Sequence, residues 1–157
     1  MSVTNPNCIH LARPRQAAKA ETAGYNGAMF PAHARLLRVV EANRHAGLRL
    51  LVLFGSRARG DAAPGADWDL AFLADSGFDP DALMADLALG LASDDIDLVD
   101  LSRAGAQVRF RVARDGLIVH EAMPGEFGRF WVDAVSFWCD AAPVLERAYE
   151  GVLSRLG

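Results

Sequence analysis

The sequence predicts an α/β fold: one small sheet flanked by helices, followed by a long C-terminal helix. Three observations carry that prediction. LRLLVLF (48–54), WDLAFLA (68–74) and DIDLVDL (95–101) are short apolar or alternating runs of strand length. Segments with apolar residues three or four apart lie between or before them. From Gly125 to Leu156 a single apolar stripe runs through Phe127, Trp131, Ala134, Trp138, Ala141, Leu145, Ala148, Val152 and Leu156.

Taken in order, the first patterned segment is a helix from Ala32 to Ala46, with Leu36, Leu37, Val39 and Val40 on one face and Gly47 as its stop. The run 48–54 is rich in Leu and Val and closed by Gly55, as a buried strand would be. A second strand at 68–74 ends before Ser76-Gly77 and Pro80, which break the chain ahead of a helix over 81–92. The third strand covers 95–101. Ser102 is placed to cap a helix running to about Arg114, and GLIVH (116–120) makes a short last strand. Pro143 is a site for a kink or division of the final helix. The aromatic stripe of that helix suits packing on the sheet, and part of it suits contact with a partner; packing is the expectation.

A chain of 157 residues holds about one domain. The expected division is a loosely ordered extension over 1–31, a catalytic-sized domain over 32–122 and a helical segment over 123–157. The extension is polar and lacks periodicity, and Met29 stands just before the first patterned segment, as a natural start would. Arg13, Arg15 and Lys19 are followed by no apolar stretch, so a signal peptide is not expected. No apolar run approaches the roughly 20 residues of a membrane span. Cys8 and Cys139 have no metal-binding spacing, and a reducing cytoplasmic setting follows. The net charge of -4 does not suit a protein that tracks a nucleic-acid backbone; any nucleotide bound is a small one.

The chemistry concentrates in GSRARGDAAPGADWDL, residues 55–70. A strand ending in Gly55-Ser56 and entering a helix leaves backbone N–H groups free, and Gly55 permits both the turn and close approach of a phosphate. Asp67 and Asp69 alternate along a strand, so their carboxylates share a face while Trp68 points to the opposite layer. Two like charges so placed are unfavourable without a cation, and hard oxygen donors suit Mg²⁺. On the third strand Asp97 lies between Ile96 and Leu98 and offers a third carboxylate, which would allow two metal ions to be bridged. Asp94, Asp95 and Asp100 fit solvated ends. Arg57 and Arg59 suit either phosphates or solvent on the first turn of a short helix, and Asp61 suits a surface or capping place. His10, His33, His45 and His120 are scattered and point to neither a metal cluster nor a catalytic base, and Tyr149 suits a structural or partner-facing place.

The Gly-Ser turn, a spacer of about ten residues, Asp-x-Asp and a later strand aspartate together resemble the minimal nucleotidyltransferases of the DNA polymerase beta superfamily. The resemblance covers roughly residues 33–122 and implies a polymerase-beta-type nucleotidyltransferase fold, a small mixed sheet flanked by helices. It implies that Gly55 and Ser56 hold a triphosphate, with Arg57 counted beside them as nucleotide-binding on its guanidinium chemistry, and that Asp67, Asp69 and Asp97 bind two Mg²⁺ and carry catalysis. Ala66 departs from the serine that many relatives carry there, at a position that ligates no metal. Proteins of this kind are commonly antitoxins of a two-gene pair whose partner is a HEPN-domain ribonuclease toxin. The implied activity is transfer of AMP from ATP to a hydroxyl, a tyrosine of that toxin. Two alternatives stay open: an antitoxin acting by occlusion alone, and a nucleotidyltransferase acting on a small molecule.

Overall fold

A computed structural model describes residues 31–156. The expectations for residues 1–30, including a start at Met29, lie outside the described residues, as do Cys8 and His10. The elements in chain order are α1 (Pro31–Ala42), β1 (Leu48–Leu53), α2 (Gly55–Arg59), β2 (Trp68–Ala74), α3 (Pro80–Leu91), β3 (Ile96–Asp100), α4 (Ala106–Asp115), β4 (Leu117–Glu121) and α5 (Glu126–Leu156).

The sheet order is β3-β2-β1-β4. β1 is antiparallel to both β2 and β4, whereas β2 and β3 are parallel, with α3 as their crossover. The sheet is therefore mixed, as the resemblance to the polymerase-beta-type fold implies. β1 is central, and Leu50, Leu51, Val52 and Leu53 are fully buried because both faces are covered. Leu51, Leu53, Trp68, Leu70 and Phe72 pack with Leu36 of α1 and Leu83, Leu87 and Leu91 of α3. Leu50, Val52 and Ala71 face the other way, toward Val112 of α4 and Phe127, Phe130 and Ala134 of α5. Strand alternation thus sorts side chains into two apolar layers, one on each side of the sheet.

Three boundaries differ from the sequence reading. α1 stops at Ala42 rather than Ala46. There the Val39 carbonyl accepts from both the N–H and the side-chain amide of Asn43 (3.2 and 3.1 Å), and His45 turns to Asp86 of α3 (3.2 Å). Ser102 caps no helix: its N–H and hydroxyl both donate to Asp100 Oδ1 (2.9 and 2.6 Å), closing a turn after β3. α4 starts instead at Ala106, after Gly105. α5 runs through Pro143 as one helix and is not divided there. Its first turns pack on α4 and the sheet, with Trp138 stacked on Phe110 at 5.0 Å between centroids. Its N-terminus is tied down by Glu121, whose Oε1 accepts from the Phe127 N–H (2.8 Å), and by an Arg49–Glu126 pair (2.8 Å). Among the described residues no helix is long and apolar enough to cross a membrane.

Candidate active site

The carboxylates meet at the start of the parallel strand pair. In the β2–β3 register Asp69 stands directly opposite Asp97, on the face that looks toward α4 and α5. Asp67 ends the irregular loop before β2, exposed, and Trp68 is buried in the opposite layer with α1 and α3. The structure brings Asp67, Asp69 and Asp97 together. Partial burial pushes Asp69 above the ordinary carboxylate range; the nearby Arg111 guanidinium opposes the shift, the charges of Asp97 and Asp67 add to it, and Arg59 opposes it weakly.

Gly55 opens α2 at φ +70°, a conformation that side chains disfavour. The space that a Cβ would occupy there holds the Asp69 carboxylate, whose Cγ lies 2.7 Å from the built position. The Phe54 N–H donates to the Asp69 carbonyl (2.9 Å), so the end of β1 and the start of β2 hold this approach from the main chain as well. The glycine is thus required by a carboxylate of the protein itself, a reason that strand and turn patterns do not reveal. Ser56 sits within α2, and the helix has no side-chain cap.

Arg57, expected on a phosphate or in solvent, is engaged otherwise. Its Nε donates to the Ala66 and Asp67 carbonyls (3.1 Å each), its Nη2 donates to the Ala66 carbonyl, and its guanidinium lies 4.1 Å from the Trp68 ring centroid. Arg59 pairs with Asp61 (3.1 Å). The three described histidines stay out of the site: His33 and His120 contact main-chain carbonyls of Ile118 and Leu48, and His45 pairs with Asp86. Asp100 is spent on its turn and on Arg103 (3.5 Å).

Arg111 went unnoticed in the sequence. It is exposed on α4, lies 5.9 Å from the Phe54 ring, and brings the strongest positive charge acting on Asp69. No local pattern marks it, because only the packing of α4 beside α2 carries it there.

The donor set fits Mg²⁺. Three hard carboxylates are gathered against their mutual repulsion, and a cation would relieve it. Among the described residues no group of three or more His, Cys, Asp or Glu side chains is arranged so that it could hold a metal ion; an ion here would need further ligands from water and substrate phosphates.

The 31–156 region has clear likenesses. Protein adenylyltransferase MntA of Aphanizomenon flos-aquae (strain 2012/KM1/D3) is 36% identical over 95 residues, covering 53% of this chain and 63% of that protein. The match thus spans under two thirds of that relative's length. A crystal structure of a toxin–antitoxin complex with AMP-PNP contains a chain that is 26% identical, with a TM-score of 0.64 over 77% of this chain and 98% of that one. A structure of tri-AMPylated Shewanella oneidensis HEPN toxin with its MNT antitoxin gives 26% identity and a TM-score of 0.59, covering 77% and 95% of the two chains. The family profile described as polymerase beta, nucleotidyltransferase matches residues 40–123, the span from the end of α1 through β4 that carries every carboxylate of the site. On that match over more than half of its length, the chain belongs to the polymerase beta nucleotidyltransferase family.

Proposed function

We propose that the protein is an antitoxin that transfers AMP from ATP to a hydroxyl, a tyrosine of a partner HEPN ribonuclease toxin, and so silences it in the cytoplasm. The observation that carries this reading is the in-register pairing of Asp69 with Asp97 beside Gly55. Support comes from the likeness to a protein adenylyltransferase and to the antitoxin of an AMPylated HEPN toxin.

In this reaction the tyrosine oxygen forms a bond to the α-phosphorus while the bond from that phosphorus to the bridging oxygen breaks. Pyrophosphate leaves with the electron pair. The hydroxyl proton is taken up at a carboxylate oxygen of Asp97, the exposed member of the pair on the edge strand. Gly55 and Ser56 seat the triphosphate, and Arg111 supplies positive charge toward it from α4. Asp67, Asp69 and Asp97 would hold Mg²⁺, two ions in our reading, and the metal would supply neutralisation of charge on the transferred phosphate and the leaving group.

The test is incubation of the protein with Mg²⁺, labelled ATP and the co-expressed partner, followed by intact mass spectrometry. An added AMP mass on the partner, lost in Asp67→Ala and Asp69→Ala, is expected. Undiminished neutralisation by those variants would leave binding by occlusion alone, and label on a small metabolite would point to the small-molecule enzyme.

A further inference from the structure

We propose that Arg57 is a positioning residue that aims the metal-binding carboxylates, and that it does not grip the nucleotide's phosphates. The inference rests on the nucleotidyltransferase reading and assigns one residue a different role within it.

Asp67 stands at the end of a segment, residues 61–67, without regular secondary structure. A Pro64-Gly65 turn, closed by the Ala66 N–H on the Ala63 carbonyl (3.0 Å), leads into it. Nothing in such a loop by itself fixes where a carboxylate points, and its main-chain acceptors require partners. Arg57 supplies them. It donates to the carbonyl of Ala66, in the peptide plane before the Asp67 Cα, and to the carbonyl of Asp67, in the plane after it. The plane after Asp67 is also held by the Trp68 N–H on the Asp95 carbonyl (2.9 Å), so Arg57 adds the hold on the plane before it; together they fix φ and ψ at Asp67 and the direction of its Cα–Cβ bond.

The clamp is itself anchored. The guanidinium lies 4.1 Å from the Trp68 ring centroid, and that ring is only 4% exposed, packed in the α1–α3 layer. Trp68 separates the two aspartates, so one arginine grips the middle of the Asp-Trp-Asp run while the carboxylates serve the opposite face. Arg57 also sits two residues after Gly55 on α2. The same side chain therefore keeps the glycine-serine turn in register with the carboxylate pair. A planar, permanently charged fork suits this double task, and an ammonium does not reproduce it.

The charge cluster explains the need. Asp97 and Asp67 both repel Asp69, and Asp67 is the one that precedes the strand, held to the sheet only on its C-terminal side by the Trp68 N–H on the Asp95 carbonyl (2.9 Å). A clamp at its own peptide planes keeps the set assembled.

The experiment is a titration of the full chain with AMP-PNP over a range of Mg²⁺ concentrations, for wild type, Arg57→Gln and Arg57→Lys. Both variants are expected to need about tenfold or more Mg²⁺ for half-maximal binding, as lost outer-shell partners commonly cause, with affinity at saturating Mg²⁺ nearly unchanged. Lysine keeps the charge and much of the stem over Trp68, so it carries the test if the glutamine variant does not fold. Weakened AMP-PNP affinity at every Mg²⁺ concentration, restored by lysine, would overturn the proposal in favour of a phosphate contact. A wild-type protein that binds no AMP-PNP with Mg²⁺ would instead overturn the enzymatic reading beneath it.

Discussion

Replacing Gly55 by alanine separates two costs that the structure superimposes. The first is conformational: at φ +70° an L-residue with a Cβ loses about 1–2 kcal/mol. The second is steric, because the new Cβ falls within the Asp69 carboxylate, 2.7 Å from its Cγ. Overpacking of that kind costs about 1–3 kcal/mol. Alanine also restricts the unfolded chain, which returns about 0.4–1 kcal/mol. The net expectation is a loss of about 1–5 kcal/mol. Urea unfolding in EDTA, with and without Asp69→Ala, separates the terms. The conformational and unfolded-chain effects appear in both backgrounds, whereas the clash with the carboxylate oxygens appears only beside Asp69. A contact with the Asp69 Cβ, 3.1 Å from the built position, stays in both. Gly55→Ala should therefore cost about 1–3 kcal/mol less when residue 69 is alanine. AMP transfer by the single variant should fall by about 100-fold, as reacting groups displaced by about an ångström commonly show. Equal costs in the two backgrounds would refute the claim that this glycine exists to admit the carboxylate.

Three further outcomes are expected. Asp69→Asn should stabilise the metal-free protein by about 0.2–1 kcal/mol, the scale of like charges facing across strands; thermal unfolding in EDTA reads this, and added Mg²⁺ should raise the midpoint of wild type but not of the variant. Gly90→Ala should destabilise although alanine favours a helix by about 1 kcal/mol, because its Cβ would meet the methyls of Val39 on α1, with Cγ1 at 2.8 Å, and a β-branched side chain cannot rotate away; a rise in stability would show that α1 and α3 pack loosely, and Val39→Ala should relieve the loss. Glu126 is held below the ordinary carboxylate range chiefly by its hydrogen bond from Arg49, against the cost of burial and with help from Arg129. A depressed carboxylate stabilises the fold above its unfolded value and loses that contribution as pH falls through its folded one. Glu126→Gln should accordingly lower the urea midpoint at neutral pH and flatten its decline into the acid range.

Much of the architecture is legible in the chain. The central strand reads as a continuous apolar run because both of its faces are covered, and the alternation in β2 separates Trp68 and Leu70 from Asp69 and Ala71 as it must. Asp97 is recognisable because a carboxylate flanked by Ile96 and Leu98 shares no face with them. Helix ends are less legible. α1 ends early where Asn43 takes a helix carbonyl, and the turn after β3 draws Ser102 to Asp100, so a serine suited to capping serves a different partner. Arg57 shows the limit most clearly. A guanidinium beside a glycine-serine turn suits phosphate by residue type alone, yet its acceptors are carbonyls nine and ten positions later.

Periodicity and residue type were enough for an α/β order with one small sheet, for the long last helix, and for naming Asp67, Asp69 and Asp97 as candidates for one set, since those depend on local alternation and on chemistry carried by each side chain. Which strand lies beside which, that Asp69 fills the space Gly55 leaves, that Arg57 holds the Asp67 loop, and that Arg111 arrives from α4 were decided by tertiary packing. Such contacts join residues far apart in the chain, and no short-range pattern encodes a partner that arrives only when the layers close.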